Sequence, residues 1–393
     1  MRILVAPSSF RRSLSAPEAA EAIADGLRAG DPTLEIVTLP IADGGDDTGE
    51  VLRIALGGSK RTAPVHDALG RPCEASFVVL PDGTAVVDVA SASGWGPLAG
   101  VARDPLRATT FGTGELIAAA LATGARKIVV GVGGSATVDG GAGLLQALGV
   151  RWLDARGAPL PPGGAALRQL ARVDPAHLDP RLAATEIVLA CDVDSPLLGP
   201  AGAARVFGPQ KGAGPDAIEV LEAGLACLAE VVARDLSVDL RSVLRAGAAG
   251  GVAGSLHAVL NAPLRAGADL VLRLVGFEDR LGACDLVVAA EGQLDAQTLG
   301  GKGPFRVASA ASRRSKPVIM IVGGIDPDLP REARAMFDAV FSVCRRPMTV
   351  EQAMAQGATL LRDTATEVAR VLALGRRAQM GVSGAIPRAR TDA

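Results

Sequence analysis

Short, unbroken apolar runs separated by glycine-rich polar turns dominate this chain, as expected of strands buried on both faces of a parallel sheet. Residues 2–6 (RILVA) and 35–40 (EIVTLP) are two such runs, and 286–290, 317–323 and 339–343 are three more near the other end. Each is followed by a polar turn and a helical pattern. An alanine-rich helix is predicted over 17–29, capped by Ser15 or Ala16, with Pro17 in its first turn. Another follows the turn IADGGDDT and runs through Leu52. The economical arrangement is one doubly wound parallel sheet built from both chain ends, with the middle inserted.

The middle opens with a different pattern. VVLPDGTAVVDVA reads as a hairpin with Asp-Gly in its turn. The helix GELIAAALATG, the buried run KIVVGV, a Pro/Gly stretch at 159–164 and a helix over 215–234 follow. The predicted division is 1–62 with 283–375 as one domain and 63–282 as the insertion. Residues 376–393, without periodicity, are predicted to be a disordered tail.

A chain of 393 residues exceeds one ordinary core, which agrees with two domains. Its formal charge of −2 gives no electrostatic reason to expect nucleic acid or an acidic membrane as partner. Five scattered cysteines form no CxxC pair, so neither zinc nor a disulfide framework is indicated. The start lacks a signal-peptide pattern and no apolar run reaches membrane length. A soluble cytoplasmic protein is the expectation.

The stretch with most chemistry is residues 131–143, GVGGSATVDGGAG, between the run KIVVGV and the helical pattern AGLLQALGV. A loop of glycines leading into a helix suits a phosphate, because backbone N–H groups can approach and point at it. Gly131, Gly133 and Ala136 also fit a dinucleotide fingerprint, with Asp154 at about the expected distance of ~20 residues. No Gly-Lys-Ser/Thr follows, so a Walker loop is excluded. Acids recur in glycine-flanked turns: Asp43 with Asp46 and Asp47, Asp139, Asp192 with Asp194, and Glu291 with Asp295. Such acids beside phosphate loops are what magnesium binding and activation of a hydroxyl require. Lys211 and Lys302 lie in glycine-flanked loops where an ammonium could reach a phosphate. The three histidines stand alone, and no triad is suggested.

At this point the motifs PSSFRRSLSAPEAAEAIADGL, PIADGGDDT, RDPLRATTFGTGELIAAAL, GVGGSATVDGGAGLLQALGV, ACDVDSPLLGPAGAARVFGPQKGA, AGAAGGVAG and EGQLDAQTLGGKGP can be set together. In that order, they resemble the bacterial glycerate kinase family that lacks a Walker motif, over residues 1 to about 374. The resemblance implies a flavodoxin-like parallel-sheet domain from both chain ends and an inserted mixed α/β domain of restriction-enzyme type. It implies ATP-dependent phosphorylation of D-glycerate, of the 2-phosphoglycerate-forming kind, with Mg²⁺. A homodimer is compatible with it.

The departures fall in the motif turns. SFKGS is here Ser9-Phe10-Arg11-Arg12-Ser13, DGGEGT has Asp46 and Asp47, GSATN has Val138, and GEGR has Gln293. Arginine can clamp a phosphate bidentately but cannot take up a proton. For a kinase of this kind, Asp192 is the acid expected to accept or orient the hydroxyl proton, with Arg11 and Lys302 neutralising charge on the moving phosphoryl group. Ser9, Asp43, Gly133, Gly134, Ser135, Asp139, Lys211, Glu291, Asp295 and Thr298 are the expected substrate and nucleotide contacts. Asp43, Asp192 and Glu291 are the expected Mg²⁺ ligands. Arg12 and Asp46 or Asp47 are expected to pair. Two other functions fit the altered turns: a kinase for a different hydroxy acid or polyol, and a ligand-binding relative without catalysis.

Overall fold

The computed structural model describes residues 1–10, 13–45, 47–299 and 301–379. It divides into unit 1, Met1–Pro40 with Phe277–Ala393, and unit 2, Ile41–Gly276.

Unit 1 holds β1 (Arg2–Pro7), β2 (Glu35–Thr38), β11 (Leu286–Leu294), β12 (Val318–Ile325) and β13 (Ala339–Ser342). They form one sheet in the order β13-β12-β11-β1-β2, parallel throughout. Counted within the unit this is the flavodoxin-like order, and its switch point lies between β1 and β11. Ile3 and Val5 of β1 and Val288 and Ala290 of β11 pack in one core with Ala19, Ile23 and Leu27. Those last three lie on the helix Ala16–Gly30, whose start is fixed by a capping box of Ser15 and Glu18. The helix Gly357–Gln379 lies against it so closely that a Cβ on Gly30 would stand 2.4 Å from Thr366 O. Only the small residues of the Ala/Gly-rich first helix permit that approach. Residues 376–379 of the predicted tail are therefore helical, and 380–393 lie outside the described residues.

Unit 2 contains β3 (Ser59–His66), β4 (Pro72–Val79), β5 (Ala85–Asp88), β6 (Lys127–Gly131), β7 (Arg151–Leu153), β8 (Arg172–Asp174), β9 (Glu186–Ala190) and β10 (Leu264–Arg265). Six form a mixed sheet in the order β10-β9-β6-β5-β4-β3. β5, β6, β9 and β10 run parallel, while β3 and β4 join them by antiparallel pairing. The β4–β5 turn is the predicted one: Gly83 takes φ +82° and Asp82 accepts the Thr84 N–H at 2.9 Å.

β7 and β8 pair only with each other. Asp154 thus follows β7 of a separate two-stranded sheet, where it accepts the Arg156 and Ala158 N–H groups. It does not end a strand beside β6, so the dinucleotide fingerprint has no βαβ unit behind it. The unit boundaries fall earlier than the sequence suggests, at 40/41 and 276/277. The helix Thr48–Leu56 sits in unit 2, where the Gly49 N–H donates to Asp88 at 3.0 Å, and β3 pairs along its length with β4. Among the described residues no helix is long and apolar enough to cross a membrane.

Candidate active site

The parallel strands of unit 2 deliver a set of turns at their carboxyl ends. Asp88 ends β5, the loop from Gly131 follows β6, Asp192 follows β9, and Gly267 follows β10. The Asp43-Gly44-Gly45 turn is wedged among them. Gly133 N–H donates to Gly44 O at 2.8 Å. A Cβ on Gly44 would stand 2.4 Å from Ala190 O, one on Gly133 2.5 Å from Gly45 Cα, and one on Gly267 2.2 Å from Asp43 O. Here backbones meet with no side chain between them, which is the reason for glycine at these positions.

That packing brings Asp43 to Asp192. Asp192 Oδ2 accepts the Ala268 N–H at 2.8 Å, at the start of the helix Gly267–Leu274. Burial pushes the Asp192 carboxyl up to about 7, the amide bond pulls it back, and the Asp43 charge adds to the rise. A carboxyl poised there can hold or release a proton near neutrality. Arg245 stands beside the pair, its Nε 2.7 Å from Asp194 Oδ1, on a backbone with φ +69°. Sequence reasoning missed Arg245 and Asp88. The positive φ of Arg245 has no sequence signature, and nothing in the local pattern sets Asp88 apart from any other residue at a strand end.

The glycine-rich loop is built differently from the expected phosphate cradle. Asp139 is buried, and its Oδ2 accepts Thr110 N–H at 2.7 Å, Thr110 Oγ1 at 2.8 Å and Gly143 N–H at 3.2 Å. Its Oδ1 accepts Gly141 N–H at 3.1 Å. These groups open the helices Phe111–Ala122 and Ala142–Ala147, so the protein's own carboxylate occupies the place offered to a phosphate. Asp139 thus caps both helix starts. Lys211 is likewise only 3% exposed, its Nζ donating to Ser135 Oγ at 2.8 Å and Thr137 O at 2.7 Å. Burial pulls its ammonium down to about 7 despite Asp139 nearby. Both of these hydrogen bonds are made to the loop itself. Val138 is fully buried in the core. What remains open is the corner at Gly133 and Gly134, with Gly134 exposed at φ +67° and Ser135 buried behind it.

Unit 1 gathers the other candidates at its switch point. Ser8 donates to Ala290 O from both N–H (2.8 Å) and Oγ (3.2 Å), placing Ser9 just beyond β1. Thr298 Oγ1 donates to Glu291 at 2.8 Å, and Thr298 N–H to Asp295 Oδ1 at 3.1 Å. Lys302 stands at the N-cap of the helix Gly303–Arg313. Gln293 lies on β11 opposite Gly324 of β12. Of the expected Mg²⁺ ligands, Asp43 and Asp192 belong to unit 2 and Glu291 to unit 1. Among the described residues no three His, Cys, Asp or Glu side chains converge as a metal site. Arg11, Arg12 and Asp46 lie outside the described residues, and with them the expected role of Arg11 and the pairing of Arg12.

Glycine-backed turns and one poised carboxyl at the carboxyl ends of parallel strands fit an α/β enzyme for a small polar substrate. The sequence pattern of the glycerate kinase family matches residues 3–373. A glycerate kinase of Bacillus subtilis (strain 168) is 44% identical over 96% of this chain and 99% of its own. A glycerate 2-kinase of Escherichia coli (strain K12) is 42% identical over 96% and 99%. A crystal structure of a chain described as glycerate kinase 2 from Salmonella typhimurium LT2 superposes with a TM-score of 0.82, at 43% identity over 96% and 99%. The chain belongs to the glycerate kinase family. It is a small-molecule kinase.

Proposed function

We propose that this enzyme transfers the terminal phosphoryl group of ATP directly to the 2-hydroxyl of D-glycerate. The observation that carries the chemistry is the partly buried Asp192, held at the Ala268 N–H and raised to about 7 beside Asp43. With such a pKa, Asp192 is suited to accept the hydroxyl proton as the oxygen attacks phosphorus, so that positioning and charge stabilisation do the rest. We assign the charge of the moving group to Lys302 and to Arg11, which stands where the family has lysine.

Mg²⁺ suits this donor set, because it takes one or two carboxylates and completes its shell from phosphate and water. Asp43 is the carboxylate that would hold it. Bound there, the ion would neutralise charge on the nucleotide phosphates. The reading places the enzyme in the cytoplasm, and a homodimer is compatible with it.

The test is ATP consumption with Mg²⁺ over a panel of hydroxy acids and polyols, with the phosphorylated carbon assigned by ³¹P NMR. D-Glycerate should be preferred and 2-phosphoglycerate formed. Consumption with another member of the panel alone would replace the substrate, and no consumption with any would overturn the reading.

A further inference from the structure

Arg103 is an exposed cation held in place without an acid. Its guanidinium lies 4.5 Å from the centroid of the Trp95 ring, and Nη1 donates to Gln210 O at 2.7 Å. Among the described residues no carboxylate lies within ion-pair distance of it, although nearby Arg71 and Arg107 pair with Asp67 and Asp104. A planar guanidinium fixed by a ring face and a backbone carbonyl keeps most of its five donors for something else.

Both of its anchors lead to one place. Trp95 follows Gly94, which bridges to Ser135, and Ala136 N–H donates to Ser93 O at 2.8 Å. Gln210 precedes Lys211, whose ammonium binds Ser135 Oγ. The turn after it is moulded to the arginine: Gly212 has φ +95°, and a Cβ there would stand 2.8 Å from Arg103 Cβ. The guanidinium is thus stitched from two sides to the Ser135 end of the corner left open at Gly133 and Gly134.

Asp139 takes the helix-opening N–H groups of that loop, which leaves Gly133 and Gly134 as its open part and Arg103 as the cation joined to its Ser135 end through Trp95 and Gln210. A guanidinium fork matches two oxygens of one phosphate, and an ordered one loses little further entropy on binding. We propose that Arg103, aligned by Trp95 and Gln210, binds a phosphate of the nucleotide at this corner. The proposal rests on the ATP reading above.

The experiment compares wild type with Arg103→Met, which keeps a long apolar stem on Trp95, and with Arg103→Lys, which keeps a charge but loses the fork. ADP dissociation constants come from calorimetry and KM values for ATP and D-glycerate from steady-state kinetics. Arg103→Met should weaken ADP binding and raise KM for ATP about tenfold or more, with KM for D-glycerate within about twofold of wild type. Arg103→Lys should fall between, and decides the matter if the methionine variant does not fold. Unchanged ADP affinity would overturn the proposal, as would equal rises in both KM values, the mark of a purely structural arginine. A wild type that phosphorylates nothing would sink the functional reading instead, while the ADP titrations alone still judge Arg103.

Discussion

Replacing Asp192 with asparagine should move activity and stability in opposite directions. The amide is nearly the size of the carboxylate and can still accept the Ala268 N–H, but it carries no charge. The folded carboxyl titrates at about 7 against an ordinary 3.8, a difference of roughly 3 units or about 4 kcal/mol at most. Relaxation and water penetration reduce that, and about 2–3 kcal/mol is a reasonable expectation. The sign follows from which state holds the proton. Well below 3.8 both folded and unfolded chains are protonated and the acid costs nothing. Between 4 and 7 the unfolded chain releases its proton first, so stability falls as pH rises, and above 7 the whole cost is present. Asp192→Asn should therefore raise the melting temperature of unit 2 at pH 8 by roughly 4–12 °C, at about 2–4 °C per kcal/mol for a unit of this size. At pH 4 the gap should narrow to about 1–2 °C. Calorimetric scans at both pH values, in chelator and without nucleotide, measure this. Turnover should drop by ~10²-fold or more in the coupled kinase assay. A variant no more stable than wild type at pH 8, or one with near-normal turnover, would refute the account of this carboxyl.

Lys211 gives the opposite pH profile. Its ammonium cost is complete below pH 7 and vanishes as pH rises towards 10.5, so wild type should gain stability over that range. Lys211→Met, which also loses two hydrogen bonds, should then appear more damaging at pH 9.5 than at pH 6 in urea unfolding. Gly44→Ala combines a left-handed φ with a backbone clash against Ala190 and should destabilise unit 2 by more than about 2 kcal/mol. Gly157→Ala, also left-handed but facing open space, should cost only about 1 kcal/mol; equal melting temperatures for the two would sink the close-packing argument. Asp139→Asn should destabilise unit 2 by about 3 kcal/mol or more, read as a lower melting temperature, because helix-opening N–H groups and Lys211 lose their anion. A stable Asp139→Asn protein with a raised KM for ATP would restore the ligand-binding role for this acid.

Much of the fold was legible because buried parallel strands leave an unambiguous mark. The runs at 2–6, 286–290 and 317–323 have no other economical reading, and the Ser15 box and the Asp82-Gly83 turn are local chemistry. The domain boundary was not legible, since residues 41–62 match either neighbour in composition and only the pairing of β3 with β4 assigns them. In the site, the positions of the acids were legible but not their tasks. An acid two residues before Gly141 can cap a helix or face a ligand beside one, and the sequence is the same in both cases. Whether Lys211 is exposed or enclosed depends on Ser135, far away in the chain, and Arg103 finds Gln210 across a separation of 107 residues. Such pairings belong to tertiary structure, and no local pattern announces them.

The placement of β1 has a consequence for how the protein is made. It lies inside its sheet between β2 and β11, with Ile3 paired to Leu286. At ribosomal speeds of about 5–20 residues per second, β1 waits roughly 15–60 s for that neighbour to be synthesised. Meanwhile the inserted unit, whose strands all lie between Ser59 and Arg265, emerges whole and can fold. The amino-terminal segment must spend that interval with an open strand edge and the apolar face of its first helix uncovered, since Gly357–Gln379 arrives last. The stretch made before the insertion is thus finished only after it, and in the living cell its exposure during that delay is where a chaperone would have most to do.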